Sequence, residues 1–532
     1  MSDATPMPQL SPLAEWAQRR GLLPWAILVT ASLGAILEVI DVSIVNVALP
    51  HMQGNLGAAL SEISWVITGY SVANVIIIPL TAWLGRRFGR KTYFLFSLIL
   101  FISSSLMCGL ATNLAVLIIA RILQGLGGGV LLSNAQSVIF ENFPVSKRGV
   151  AQAVFGLCVI TGPAIGPTLG GYLTDTLGWR WIFFINLPVG IISVLLTLTF
   201  FPPDQHSDKE VGSVDWLGIG LLTIGLGCLQ TVLEEGQKDD WFASRFITTL
   251  ATTSIISLAL FVWREFSVDQ PAVDLRVLRY RSVAAGSAYS VVLGAGLYGV
   301  IFAVPVFAQN YLHFNAMQTG NLLGPGAITS AIAMMMLAKA TSFVDPRLLV
   351  AIGGVLTAGV AFSLAQITPE TGAGNLFWPL VMRGGSSVFM FLPLSLATLG
   401  PLPRKEVPAA SGFYNLTRQL GGSFGIAIMT SVLARRQATH ESFLAEKVNL
   451  YSQATQERLE MLTAGFGSHI SDPNAAQQQA LTAMKGIIQA QAGVLSYADI
   501  FRYVGFAFII TLPLLILLGR PAGKAAAPVD AH

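Results

Sequence analysis

The sequence predicts an all-α integral membrane protein with about fourteen transmembrane helices. Of the 532 residues, 53% are hydrophobic and only 11% are charged, whereas a soluble domain averages roughly 25% charged residues. The chain also divides into separate apolar runs, most of them close to the roughly 20 residues that a helix needs to cross a bilayer. The net charge of +3 is too small to indicate a nucleic-acid partner, and we expect none.

The apolar runs form groups of six, two and six, separated by a polar break and a basic break. The runs lie at 25–50, 62–85, 92–111, 114–139, 149–172, 181–201, 216–233, 247–263, 284–308, 318–339, 348–367, 376–400, 408–434 and 500–518. We expect a cytoplasmic tail with a short surface helix at 1–23, a six-helix half at 24–201, a two-helix linker insertion at 202–282, a second six-helix half at 283–518 and a tail at 519–532.

Basic residues are concentrated in alternate loops, as expected for loops on the cytoplasmic side. With an even number of spans, this asymmetry predicts that both termini lie in the cytoplasm. Arg19 and Arg20 precede the first run as in a signal peptide, but the run is too long, so we expect an uncleaved span. The basic residues of these alternate loops are Arg86, Arg87, Arg90, Lys91, Lys147, Arg148, Arg276, Arg279, Arg281, Arg347, Arg404, Lys405, Arg520 and Lys524.

The connection at 435–498 is a long polar segment on the predicted outer side. Structureless loops of this length are uncommon, and the segment contains helical signals. The stretch ESFLAEKVNLY is amphipathic, and Asp472 followed by Pro473 predicts an N-cap with proline in the first turn. We expect a helical hairpin that projects outward, either as a passive loop or as a docking surface for a partner protein.

The first run contains two carboxylates, Glu38 and Asp41. A charged side chain at bilayer depth costs on the order of 2.5–3.5 kcal/mol on insertion scales. A spacing of three places both acids on one face of a helix, where desolvation and mutual repulsion favour their protonated forms. The pair therefore suits proton or substrate handling. Alternatively, Asp41 only bonds to a neighbouring helix and Glu38 faces a wet crevice.

The fifth run, GLCVITGPAIGPTLGGYL, is rich in glycine and proline. Its glycines allow another helix to approach closely, and its prolines remove backbone donors and bend the helix axis. A mobile, tightly packed helix contact needs these residue types, although a static contact would use them too. The residues concerned are Gly162, Gly166, Pro167, Gly170 and Gly171, together with Pro163.

The two six-helix groups resemble each other. The stretch IARILQGLGGG (119–129) leads to a loop with proline and basic residues, and so does VMRGGSSVFM (381–390). In each, an arginine enters a glycine-containing helix. Repeated halves of this kind are typical of transporters whose substrate site lies between the halves at mid-membrane.

Several stretches resemble the motifs of major facilitator superfamily transporters, in particular the fourteen-span drug:proton antiporter family and its EmrB-type multidrug exporters. These stretches are IDVSIVNVALP (40–50), ARILQGLGGG (120–129), the glycine–proline run of the fifth span, WRWIFFINLPVG (179–190) and ASGFYNLTRQLGGSFG (410–425). The resemblance extends over nearly the whole length and implies the major facilitator fold, in a bacterial inner membrane.

The resemblance also implies roles for individual residues. Asp41 would exchange a proton against the exported compound, and Arg121 would orient or tune that acid. The bent fifth span would lie between the halves during alternating access. Arg121 could instead have a structural role as a helix anchor. The role of Glu38 depends on the helix-face argument alone, because the family pattern does not include it.

The loop TAWLGRRFGRK (81–91) resembles the superfamily motif between the second and third spans, with two departures. Ala82 stands at the position of its first glycine and Arg86 at the position of its acid. An aspartate contact from this loop to a neighbouring helix is therefore not expected. Gly89, Arg90 and Lys91 still match, either as a cytoplasmic gate or as simple membrane anchoring.

Polar side chains within other apolar runs are candidates for a substrate cavity. Arg418 lies with Asn415 and Gln419 on a polar strip of the thirteenth run, although packing against a helix end explains it equally well. The candidate residues are Asn46, Gln124, Arg383, Asn415, Arg418 and Gln419.

The favoured function is export of hydrophobic or amphipathic compounds driven by inward proton flow. An uptake symporter or a lipid or fatty-acid exporter on the same fold is the alternative. We expect no enzyme, because no HExxH, nucleophile elbow or P-loop is present, and no cofactor beyond the proton motive force. Cys108, Cys158 and Cys228 form no disulfide or metal pattern. By resemblance, a periplasmic adaptor of the EmrA type would connect the pump to an outer-membrane channel of the TolC type.

Overall fold

The computed structural model describes residues 10–204, 214–268, 271–341, 343–449, 451–469 and 472–518, and within them the regular structure is helical. The predicted tail at 519–532 and most of the polar break at 202–215 lie outside these residues. The α-helices are α1 (Pro12–Arg19), α2 (Leu23–Leu56), α3 (Leu60–Ile63), α4 (Trp65–Phe88), α5 (Arg90–Leu110), α6 (Leu114–Asn142), α7 (Val145–Thr176), α8 (Trp181–Phe184), α9 (Asn186–Phe200), α10 (Trp216–Glu235), α11 (Arg245–Ser267), α12 (Arg281–Tyr311), α13 (Ala316–Ala340), α14 (Pro346–Leu364), α15 (Ala373–Leu399), α16 (Val407–Lys447), α17 (Gln453–Gly467) and α18 (Pro473–Thr511).

In the described part of the chain, thirteen helices are long and apolar enough to cross a membrane. The expected all-α membrane fold is thus confirmed. The span expected at 408–434 is not one of the thirteen, because α16 contains Asn415, Arg418 and Gln419, which lower its hydropathy. Nevertheless, α16 packs inside the bundle against α12 and α4.

The outer surface of the bundle is apolar. Ile255, Met336 and Ile510 are 70%, 69% and 74% exposed, respectively. Soluble monomers rarely expose extended apolar patches, so this surface fits contact with lipid. The core consists instead of closely packed helices that also bury polar and charged side chains.

Local capping residues explain where several helices begin. The side chain of Asn113 accepts a hydrogen bond from the N–H of Val116 at the start of α6, and Asp215 does the same for Gly218 in α10. Asp472 caps α18, which has proline at its first position. These side chains satisfy backbone donors that have no partner within the helix.

The first span is longer than the run 25–50 predicts. Helix α2 continues through Pro50 to Leu56 and ends at Gly57, whose φ of 61° lies in the left-handed region. The prediction that the span ends near Pro50 was wrong. Proline removes one backbone N–H donor from the helix, and membrane helices tolerate this loss where neighbouring groups compensate for it.

The long connection at 435–498 is mostly helical but is not a separate hairpin. Its first arm is the end of α16, which runs to Lys447, and its second arm is the beginning of α18, which starts at Pro473. Short helix α17 lies between the arms and packs on α18. The last span therefore begins well before residue 500, because one helix contains both the polar arm and the apolar span.

We call α2–α9 the first helix group, α12–α18 the second helix group, and α10 and α11 the inserted pair. Helix α2 contacts α6, α7 and α9, and α12 contacts α16, α18 and α15. Helices α10 and α11 pack on each other, and α10 also touches α4 and α16. The two groups meet where α7 packs along α13 and α4 packs along α16.

Polar contacts between the two groups occur near the basic loops. Gln136 of α6 bonds to Ser395 of α15 and Asn415 of α16, both at 2.7 Å. Arg148 donates to the carbonyl oxygen of Gly400 at 3.1 Å. We call the contacts of Gln136 with Ser395 and Asn415 the cross-group contact. In this structure it joins the groups at the end of the bundle where the loops at 143–144 and 400–406 lie.

Candidate functional site

Asp41 lies in α2 with no solvent exposure and accepts hydrogen bonds at both carboxylate oxygens. Its Oδ2 accepts from Nη1 of Arg121 at 2.5 Å. Its Oδ1 accepts from Nε2 of Gln124 and from Nδ2 of Asn186, both at 2.9 Å. An ion pair removed from water requires such additional hydrogen bonds to offset its desolvation cost.

The arginine of this pair is held from several sides. Arg121 is 1% exposed. Its Nε donates to the carbonyl oxygen of Val66 at 3.0 Å, and its Nη1 also donates to Oε1 of Gln124 at 2.8 Å. The guanidinium carbon lies 4.2 Å from the centre of the Tyr70 ring, which gives a cation–π contact. We call Asp41, Arg121, Gln124 and Asn186 the acid cluster; it joins α2, α6 and α9.

Glu38 is also buried, at 6% exposure, and also faces α6. Its Oε1 accepts from Nδ2 of Asn74 at 3.1 Å and its Oε2 from the backbone N–H of Leu132 at 3.1 Å. No basic side chain among the described residues forms an ion pair with it. Glu38 therefore differs from Asp41, since only neutral donors satisfy it.

Three glycines of α7 lie on the face that packs on α2. A Cβ at Gly162 would meet Val39, one at Gly166 would meet Ser43, and one at Gly170 would meet Ile44 at 2.8 Å. Gly171 is buried as well, and Pro163 and Pro167 lie within the helix. Small residues at this spacing permit close backbone contact between the two helices.

The predicted cavity residues separate into different places. Gln124 belongs to the acid cluster, and Asn415 to the cross-group contact. Arg418 is 2% exposed and donates to Oδ1 of Asn415 at 2.9 Å, whereas Gln419 is half-buried. Asn46 is exposed and only donates to the carbonyl oxygen of Val42 at 3.2 Å.

Arg383 alone among the predicted cavity residues lines the cavity found in the described structure. This cavity is partly open to solvent, and the empty space in and around it, open solvent included, is about 690 Å³. It lies between α7, α12, α13, α14 and α15.

The predicted gate loop is held by acids that the sequence analysis did not identify. Gly89 has a φ of 85°, and Asp204 accepts from the backbone N–H of Lys91 at 2.9 Å. Arg90 forms an ion pair with Glu141. The loop thus has carboxylate partners, although Arg86 replaces the acid of the superfamily motif. They come from the ends of other helices, so the loop sequence alone does not show them.

Three further polar residues were missed: Asn74, Gln136 and Asn186. Each is 2% exposed or less and bonds to a predicted site residue. Each is an amide within an apolar run, and this rarity was the available signal. Asn186 lies within the quoted stretch WRWIFFINLPVG.

In the described residues, a helical membrane bundle encloses a buried ion pair, and charged side chains inside membrane spans commonly mark substrate or ion pathways. A model of the Major Facilitator Superfamily matches residues 31–426. The chain is 34% identical over 506 residues to the multidrug export protein EmrB of Escherichia coli, which covers 95% of this chain and 97% of that protein. The chain therefore belongs to the Major Facilitator Superfamily, among the EmrB-type multidrug export proteins.

Two further similarities agree with this family. The fatty acid resistance protein FarB of Neisseria gonorrhoeae is 32% identical over 496 residues, which is 93% of this chain and 96% of FarB. The crystal structure of the human organic anion transporter MFSD10 superposes with a TM-score of 0.60 over 92% of this chain and 99% of that protein. At 13% identity, this second likeness concerns the fold alone.

Proposed function

We propose that this protein is a drug:proton antiporter that exports hydrophobic and amphipathic compounds by alternating access. The observation that carries the proposal is the buried ion pair of Asp41 and Arg121, with Nη1 and Oδ2 2.5 Å apart. Family membership supports export, because the relatives include a multidrug export protein and a fatty acid resistance protein. Export, rather than catalysis, is the activity that the name of the first of these relatives describes.

Protonation of Asp41 would change the acid cluster as a unit. An arginine keeps its charge in proteins, so a neutral Asp41 leaves the Arg121 guanidinium without its anion. Oδ1 would also lose strength as an acceptor for Gln124 and Asn186. Because these residues lie on α2, α6 and α9, a single proton changes contacts among three helices. This link between charge and helix packing is what coupling requires.

We expect α7 and α2 to move relative to each other at their close, glycine-lined contact. Gly162, Gly166 and Gly170 let α7 lie against the helix that carries Asp41. A shift of α2 on protonation would therefore be passed to α7, which packs along α13 of the other group. Glu38, held only by neutral donors, would serve as a second protonation site on the same helix face.

The membrane potential provides the driving force for this cycle. Moving one charge across the membrane yields about 2.3 kcal/mol per 100 mV. We propose that the chain lies in a bacterial inner membrane with both termini in the cytoplasm, and the basic residues in alternate loops support this orientation. In that orientation the cross-group contact would close the cytoplasmic side.

The polar arms of α16 and α18 would extend on the outer side and form a docking surface. We propose that they contact a periplasmic adaptor of the EmrA type, which would lead to an outer-membrane channel of the TolC type. The docking role is tested by replacing residues 448–472 with a short Gly-Ser linker, which keeps both arms. We expect weaker co-purification with the adaptor but unchanged substrate binding; unchanged co-purification would contradict the docking role.

The proton role is tested by Asp41→Asn in everted vesicles, with a fluorescent amphipathic dye and an imposed pH gradient. We expect at least a tenfold loss of gradient-driven transport at normal expression, because the side chain can no longer titrate. The matched control is Asp175→Asn, an exposed acid whose Oδ1 lies 3.9 Å from Nε2 of His51. Full gradient-driven transport by Asp41→Asn, or transport by the wild type that a protonophore does not affect, would contradict the proposal.

A further inference from the structure

The cavity between α7 and the helices α12–α15 is apolar except at a few positions. Its walls include Val159, Leu297, Val300 and Val360. The polar positions are Arg383, Ser387, Thr357 and Ser330. Ligand cavities commonly combine a mostly apolar lining with a few polar groups that fix orientation.

Arg383 has no counter-ion in this cavity. Its Nε is buried without a hydrogen-bond partner, and no described carboxylate forms an ion pair with it. It differs in this from Arg121, which pairs with Asp41. Arg418 also has a buried Nε without a partner, but its Nη2 donates to Oδ1 of Asn415.

The sequence explains why no partner is close. Helices α12, α13, α14 and α15 contain no aspartate or glutamate. Helix α7 contributes Asp175 alone, in its last turn and next to His51. The four helices of this group that line the cavity thus contain no acid that could neutralise Arg383.

A second polar group in the same cavity is also unsatisfied. The hydroxyl oxygen of Thr357 is buried without a hydrogen-bond partner among the described residues. Buried charges and hydroxyl groups without partners are costly, so a cavity that keeps two of them favours a ligand that supplies the missing acceptor.

The position of Arg383 is fixed by tight packing. The neighbouring Gly384 lies against the backbone of Gly326, and Oγ of Ser330 donates to the carbonyl oxygens of both glycines at 2.9 Å. This contact holds α15 on α13 and fixes the stretch of backbone from which the Arg383 side chain extends. A fixed backbone lowers the entropic cost of presenting the charge to an anion.

We propose that this cavity binds amphipathic anions, with the carboxylate or similar head group on Arg383 and Thr357 and the apolar chain along the walls. The inference rests on the proposed transport function and specifies its substrate class. A guanidinium offers donors in a fixed fork that matches a carboxylate. Arg383 is then a specificity-determining residue, because it favours anions over cations of the same length.

The test measures equilibrium binding to the purified full chain in nanodiscs, without any gradient. The probes are radiolabelled dodecanoate and dodecyltrimethylammonium, which have similar chains and opposite head-group charges. For Arg383→Gln we expect dodecanoate binding to weaken about tenfold or more, as for loss of a charge-assisted hydrogen bond, while binding of the cation stays equal or improves. Arg383→Lys keeps the charge and should recover part of the affinity.

The control is Arg276→Gln, which removes an exposed arginine outside the bundle and should leave both affinities unchanged. Equal dodecanoate binding by wild type and Arg383→Gln, or equal loss of both probes, would overturn the proposal. The same holds if wild-type protein binds neither probe. Because binding is measured without a gradient, its result is independent of the proton test. A chain that binds dodecanoate through Arg383 but transports nothing would contradict the proposed antiport and not the proposed anion site.

Discussion

The side-chain amide of Gln136 in α6 donates to Oγ of Ser395 in α15 at 2.7 Å. Its carbonyl oxygen accepts from Asn415 at 2.7 Å, so a single residue of the first helix group holds two helices of the other. Such contacts must separate if one group rocks against the other, as in alternating access.

We therefore predict that covalently joining positions 136 and 395 stops transport. In a chain without Cys108, Cys158 and Cys228, Gln136→Cys and Ser395→Cys would be joined by a short, reducible bis-methanethiosulfonate reagent. Efflux in vesicles should fall to background and return on reduction. The control joins Asp215→Cys and Arg264→Cys, whose side chains lie 3.3 Å apart within the inserted helix pair, and should transport normally. Undiminished efflux after complete joining at 136 and 395 would mean that this contact persists through the cycle.

Gly166 provides a test of the close face between α7 and α2. A Cβ there would meet the side chain of Ser43 and approach the backbone N of Ile44 at 3.2 Å. We expect Gly166→Ala to lower the free energy of unfolding by about 1–3 kcal/mol, as overpacking does in other cores. The melting temperature of purified protein measures this loss of stability.

The matched control for this prediction is Gly359→Ala in α14. Apart from its own chain neighbours and helix backbone, a Cβ at Gly359 would meet no described atom within 4 Å, so alanine should be neutral or slightly stabilising there. If both variants melt alike, the contact between α7 and α2 is less tight than the structure indicates.

The fold was largely predictable because its main determinants are local. Apolar runs, basic loops and caps such as Asp472–Pro473 lie within short stretches of sequence, and the structure has helices close to the predicted runs. The errors occurred where a helix continued through a weak stop signal. Pro50 did not end α2, and the polar arms of α16 and α18 continue the spans, since polar residues are compatible with helix outside lipid.

The site was predictable only in part, because its partners are distant in sequence. Asp41 stood out as a charge in an apolar run, and the resemblance named Arg121. Asn186 completes the cluster at Oδ1 of Asp41 only because α9 packs beside α2. Helical periodicity shows which face is polar but not which helix lies opposite, and Asp204 was missed for the same reason.

Asp204 acts as a cap for a helix to which it does not belong. Gly89 stands at the N-cap of α5 with a φ of 85°, a conformation that favours glycine, and glycine has no side chain to cap the helix. Asp204 instead accepts from the N–H groups of Lys91 and Thr92 at 2.9 and 3.0 Å. We expect Asp204→Ala to cost about 0.5–2 kcal/mol, as for loss of an N-cap side chain.

Hydrogen exchange locates this effect. The amides of the first turn of α5 should exchange faster in Asp204→Ala, whereas Asp204→Asn should lie between alanine and wild type because it retains one acceptor. Asp239→Ala, at an exposed acid, is the control. Unchanged protection of the first turn of α5 in Asp204→Ala would show that this turn does not need the cap.

Asp499 joins the two polar arms where they leave the bundle. Its Oδ2 accepts from Nε of Arg436 at 2.7 Å and contacts Nε2 of His440 at 2.9 Å, both on α16. Its Oδ1 accepts from Arg502 at 3.1 Å. The acid is 7% exposed, so its hydrogen bonds are better shielded from water than those of a surface ion pair, which contribute little.

We predict that Asp499→Ala loosens the arms without unfolding the spans, because it leaves Arg436, His440 and Arg502 without their shared acceptor. Hydrogen bonds to charged groups contribute about 1.5–3 kcal/mol. Loss of this free energy in Asp499→Ala corresponds to at least a tenfold faster hydrogen exchange of the amides at 436–447 and 473–499. Glu460→Ala, at an exposed position of α17, should leave these rates unchanged. If the arm amides of Asp499→Ala exchange at the same rates as those of the control, apolar contacts hold the arms together. Adaptor docking would then not depend on Asp499.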